Sequence, residues 1–114
     1  MKWYRKLYLG ENAKKAKYRI FGRIRRNRFQ MDTYLITLSE NPDNLLDMFS
    51  ANILNQPYYK KRRGRHTKNL YIVGLAVGYE EGLEVIRTII DDVYRETGSF
   101  DIRGFLRFGQ KVSG

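Results

Sequence analysis

Cations interleaved with aromatic rings are the residue pattern in this chain to which a chemistry attaches, and they gather in two stretches. Residues 1–28 hold eleven Lys or Arg against the single acid Glu11, and residues 60–68 hold six with no acid. The first stretch carries Trp3, Tyr4, Tyr8, Tyr18 and Phe21, with Phe29 just beyond it; Tyr58 and Tyr59 precede the second. Cations neutralise phosphates and aromatic faces stack on unpaired bases, so the mixture suits a sequence-tolerant nucleic-acid surface. The residues it singles out are Lys14, Lys17, Arg23, Arg25, Tyr58, Tyr59, Lys60, Lys61, Arg62, Arg63 and Arg65. The competing reading is that several rings fill the core and the charge is a solubilising surface, since no recognised DNA- or RNA-binding signature is present. If the two stretches share a face they make a strong positive field; the sequence leaves that open. An acidic protein partner, or an oligomeric contact, is the alternative function.

Catalysis finds less support. Gly74, Gly78 and Gly82 follow an apolar strand, yet they match neither G-x-G-x-x-G nor G-x-x-x-x-G-K-[ST]. Glu80 and Glu81 occupy the helix start that a phosphate would need, and turn geometry with close strand packing accounts for the glycines. His66, the only histidine, sits among Lys61, Arg62, Arg63, Arg65 and Lys68. Those cations disfavour its protonation, and one imidazole makes no metal site alone. The pairs Glu80-Glu81 and Asp91-Asp92 resemble acid dyads, but adjacent helical residues point in different directions and belong to a solvated face. No serine or threonine has a nearby base. The absence of cysteine excludes disulfides and thiolate chemistry. No cofactor or metal is implied, and an enzyme would need a site assembled from residues distant in sequence.

These side chains need a scaffold, and 114 residues suffice for one core, so residues 1–114 are expected to form a single domain. No apolar run approaches a membrane span and no secretory pattern follows the basic N-terminus, which makes the cytoplasm the default location. Leu70 to Val77 reads as a central strand covered on both faces. Gly78 turns the chain into a helix from Tyr79 towards Gly98, with Tyr79, Leu83, Ile86, Ile90 and Val93 on the core face and Val85 and Ile89 widening it. Ile72 and Leu75 should then lie on opposite faces of the strand. Met1 to Leu9 suits an edge strand. Residues 11–26 fit a basic amphipathic helix through Ala13, Ala16, Ile20 and Ile24, or a strand through Tyr18, Ile20, Gly22 and Ile24. Thr33 to Leu38 is a strand. Asn41, Pro42 and Asp43 read as a helix start, with Leu45, Leu46, Phe49 and Ile53 as its apolar face. Residues 58–68 read as an exposed basic loop, Phe100 to Leu106 as a last strand, and 109–114 as a frayed tail. The expected fold is therefore α/β, a small and mainly parallel sheet with helices packed on it and a βαβ unit from Leu70 to Leu106.

The segments N-P-D-N-L-L-D at 41–47, Q-P-Y-Y-K at 56–60, V-G-L-A-V-G-Y-E-E-G-L-E at 73–84 and V-Y-R-E-T-G-S-F at 93–100 resemble a group of short uncharacterised bacterial proteins of about this length. The resemblance spans most of the chain and implies a self-contained bacterial domain. It carries over no activity and no functional residue.

Overall fold

The computed structural model describes residues 2–26, 32–38, 45–52 and 71–106. Strand β1 (Lys2–Leu9) leads into α1 (Glu11–Lys15) and α2 (Lys17–Arg25); β2 (Thr33–Leu38), β3 (Leu46–Ser50) and β4 (Tyr71–Val77) follow, then α3 (Tyr79–Thr97) and α4 (Ile102–Leu106). The four strands form one sheet in the order β1-β4-β2-β3. Only the β1–β4 pairing is parallel; β2 runs antiparallel to both β3 and β4. The fold is α/β as expected, but its sheet is mixed and mostly antiparallel.

Two segments produce that difference. Leu45 and Leu46 with Phe49 suggest a helical face, yet 46–50 is a strand, laddered to β2 from Tyr34↔Ser50 to Leu38↔Leu46. Leu46 and Met48 pack on one side of the sheet and Phe49 on the other, a period of two that the pattern L-D-M-F also satisfies. The cap read at Asn41 to Asp43 and the face residue Ile53 lie outside the described residues. At the other end, the expected strand over 100–106 is helix α4. Ile102 and Leu106 are both buried, and a spacing of four fits either period. Asp101 decides it locally: its carboxylate Oδ1 accepts the Gly104 N–H at 3.1 Å, the bond of a helix N-cap. There is accordingly no βαβ unit from Leu70 to Leu106.

Central strand β4 is covered on both faces. One cluster joins Val73 and Ala76 to Ile36, Val85, Ile89, Val93, Ile102 and Leu106, so α3 and α4 cover that side. The other joins Ile72 and Leu75 to Leu35, Ala13 and Ile20, under α1 and α2. Ile72 and Leu75 thus share a face, against expectation. The cause is a register shift: Ile36 pairs with Gly74 and Thr37 with Ile72, so one residue of β4 is left over and the alternation is reset.

Residues 11–26 are helical, broken once at Ala16, and the strand alternative falls. In α3 the buried stripe is Gly82, Val85, Ile89 and Val93. Leu83 is 45% exposed and Ile86 and Ile90 are half-buried, so the helix is turned by about one residue from the face the periodicity suggests. Met48 supplies the reason, because it packs where a Cβ on Gly82 would stand. Gly78 precedes α3 at φ +94°, a conformation that favours glycine. Among the described residues no helix is long and apolar enough to cross a membrane.

Candidate nucleic-acid interface

The two N-terminal helices bury a narrow stripe and present the rest. Ala13 and Ile20 are buried against the sheet, with Ala16, Phe21 and Ile24 half-buried beside them. Lys14, Lys15, Lys17, Tyr18, Arg19, Arg25 and Arg26 are exposed, and Arg23 is half-buried. Tyr18 is 85% exposed, with Lys17 Nζ 5.8 Å from its ring centroid. Together with Asn12, Lys15, Ala16, Arg19 and Val77 the ring lines an open depression of about 490 Å³. A second depression, about 470 Å³, runs beside edge strand β1 among Trp3, Arg5, Lys6, Leu7, Lys17 and Phe21. Trp3 and Phe21 meet edge to face there, centroids 5.6 Å apart.

The opposite side of the sheet has the opposite sign. Helix α3 carries six carboxylates and two arginines. Its Arg87 pairs with Asp91 at 3.8 Å and its Arg95 with Asp92. Among the described residues no carboxylate pairs with a cation of α1 or α2. Among the described residues the cations of α1 and α2 therefore gather on one face without a short-range carboxylate partner.

Strands β1 and β4 are parallel neighbours whose following helices lie on opposite faces of the sheet. The gap beyond their carboxyl ends is where open α/β sheets usually take ligands. Here Glu81 fills it. Its carboxylate accepts N–H groups from Asn12 at 2.7 Å, Ala13 at 3.3 Å and Val77 at 2.6 Å. The N–H groups an anion would need at the start of α1 are already engaged, which argues against a phosphate there. Glu81, read from sequence as part of a solvated face, is instead a bridge between α3, α1 and β4. Among the described residues no group of acids or histidine has the arrangement of a metal site.

On the α3 side, the Tyr8 hydroxyl donates to Asp92 Oδ2 at 2.8 Å, and the Tyr4 and Tyr8 rings stack at 6.2 Å. Burial pushes the Tyr8 phenol well above its ordinary range, helped by the bond to Asp92 and that carboxylate's charge; burial and Asp92 raise Tyr4 also. A proton held more tightly in the folded state gives stability that is complete below about pH 10 and lost as pH rises through the folded value. Tyrosinate absorbance should show Tyr8 titrating above the ordinary tyrosine range, and Tyr8→Phe should flatten the alkaline fall in stability. A Tyr8 titrating within the ordinary tyrosine range would contradict the contact.

Of the residues singled out by charge, Lys14, Lys17, Arg23 and Arg25 lie on α1 and α2. Tyr58, Tyr59, Lys60, Lys61, Arg62, Arg63 and Arg65, together with His66, the rest of the 58–68 segment and the 109–114 tail, lie outside the described residues. Tyr18 is read from sequence as one of the interleaved rings, but Tyr18, Lys15 and Arg19 are not among the residues singled out. Tyr18 was legible on the helical wheel, since it falls opposite Ile20 and Ile24. No family model matches the chain, and comparisons with curated proteins and with solved structures also find no match. Function is therefore argued from this surface.

Proposed function

We propose that this protein is a non-enzymatic binding domain for nucleic acid, engaging single strands at least as well as duplex through the outer face of α1 and α2. The observation that carries the reading is Tyr18, a ring 85% exposed and bordered by Lys15, Lys17 and Arg19. A tyrosine so exposed adds little to the core, whereas a flat ring between cations is what a base needs for stacking while its phosphates are neutralised. The basic segment 60–68 extends the same chemistry by its composition.

Titration of a fluorescent single-stranded oligonucleotide at several salt concentrations tests this. If about six cations meet phosphates, log affinity should fall against log salt with a slope near −4, because each contact on a single strand releases about 0.7 counterion. Neutralising Lys14, Lys17, Arg23 and Arg25 should flatten the slope. Tyr18→Ala should remove about 1–3 kcal/mol with the slope unchanged. Absence of binding at about 50 mM salt, where electrostatic affinity is strongest, would overturn the reading. An acidic protein, or the acidic α3 face of a second copy, would then be the partner to test.

A further inference from the structure

We infer that Gly22 is the seat at which a single strand's backbone meets α2. The inference rests on the nucleic-acid reading above and adds the point of closest approach. Gly22 lies inside α2, between Tyr18 and Arg19 one turn before it and Arg25 and Arg26 one turn after. Residues three and four apart on a helix are surface neighbours, so these four side chains border one bare spot. Ile20, Phe21 and Ile24 face the sheet, which turns Gly22 outward.

Among the described residues nothing requires glycine at this position. A Cβ built on Gly22 has no atom of the described residues within 4 Å. Its backbone is not among those with positive φ, which among the described residues are Gly78 and Gly98. Glycine inside a helix is less favourable than alanine, so the residue weakens α2, and among the described residues no contact or turn offsets the loss. The contrast within this chain is direct: a Cβ on Gly10 would overlap Glu81, and one on Gly82 would overlap Met48. Those glycines are held by packing, whereas at Gly22, itself half-buried, the Cβ position meets no described atom between one aromatic ring and three arginines. A sugar-phosphate chain can lie against that opening with a base on Tyr18 and phosphates at Arg19, Arg25 and Arg26. A side chain at position 22 would hold it away.

The test sets stability against affinity. Gly22→Ala and Gly22→Gln should both unfold at higher denaturant than the parent chain, since each is a better helix former placed in open space. Affinity for a fluorescent oligothymidylate at fixed salt should fall roughly fivefold or more in Gly22→Gln, the scale of one lost stacking contact, and less in Gly22→Ala. The salt slope should not change, because no charge is removed. Binding by both variants as tight as the parent's overturns the inference and leaves the nucleic-acid reading standing. Lower stability in Gly22→Ala also overturns it, by showing that the fold itself needs glycine. If the parent chain fails to bind the oligonucleotide at about 50 mM salt, the underlying reading falls and this seat falls with it.

Discussion

Replacing Ile89 by alanine is expected to lower the unfolding free energy by about 2–5 kcal/mol, whereas Leu83→Ala, six positions earlier on the same helix, should cost under about 1 kcal/mol. Ile89 is fully buried between α3 and the sheet, in contact with the cluster around Ile36, Val73 and Ala76. Removing its methyl groups forfeits their transfer energy and leaves a cavity that close-packed neighbours fill only in part. Leu83 already meets water over nearly half its surface. Ile86→Ala should fall between them, since that residue is half-buried. Chemical denaturation of the three variants reads this directly. Equal costs at Leu83 and Ile89 would restore the rotation of α3 that its period suggests, and would undo the packing of Met48 on Gly82.

The rotation shows where sequence reasoning reaches and where it stops. Helix α3 itself was legible because apolar residues recur every three or four positions over nineteen residues between two glycines. The stripe that points inward was legible in part: the period places Val93 on it with Val85 and Ile89 beside it, but centres it on Leu83, Ile86 and Ile90, because the two apolar sets overlap. What selects between them is Met48, a residue of another element. The same limit governs the sheet. The central place of β4 and the edge place of β1 follow from composition and were read correctly. The antiparallel majority depends on 46–50, whose five residues satisfy both periods and are settled by the ladder to β2. Short segments carry too few apolar positions to separate a period of 2 from one of 3.6, and α4 repeats the lesson with Ile102 and Leu106.

The candidate surface divides in the same way. Charge counting located the cationic stretch, since a run of lysines and arginines cannot be buried and must face solvent wherever it folds. It could not rank the residues within the stretch. Tyr18 and Gly22 become informative only once residues 17–25 are known to be helix, because in the strand reading both lie on the same alternating face as Ile20 and Ile24. The separation of the cations of α1 and α2 from the acids of α3 is likewise a product of topology: α1 and α2 leave β1 for one face, and α3 leaves β4 for the other.

Glu81→Ala is expected to cost about 2–4 kcal/mol, as truncation of an acceptor shared by three backbone N–H groups leaves part-buried donors unsatisfied. Helix α1 has no side-chain cap of its own; Gly10 stands at its N-cap position and Glu81, 69 positions beyond Asn12, supplies the acceptor. Such a cap is invisible to a search of neighbouring residues, which is why Glu81 reads from sequence as surface. Glu81→Gln should cost less, because one amide oxygen can still receive Ala13 and Val77 while water serves the exposed N–H of Asn12. The contact with Gly10 gives a sharper test. Gly10 has φ −63° and ψ 163°, allowed to any residue, so the nearest obstacle to a methyl group there is the Glu81 side chain. Gly10→Ala should therefore destabilise by displacing the carboxylate, and should cost almost nothing once Glu81 is already alanine. The double-mutant cycle is expected to show a coupling of about 1–3 kcal/mol, far beyond the few tenths seen between independent sites. Additive costs would mean that Gly10 is constrained by its own backbone and that the bridge from α3 to α1 is not what holds the carboxyl ends of β1 and β4 closed.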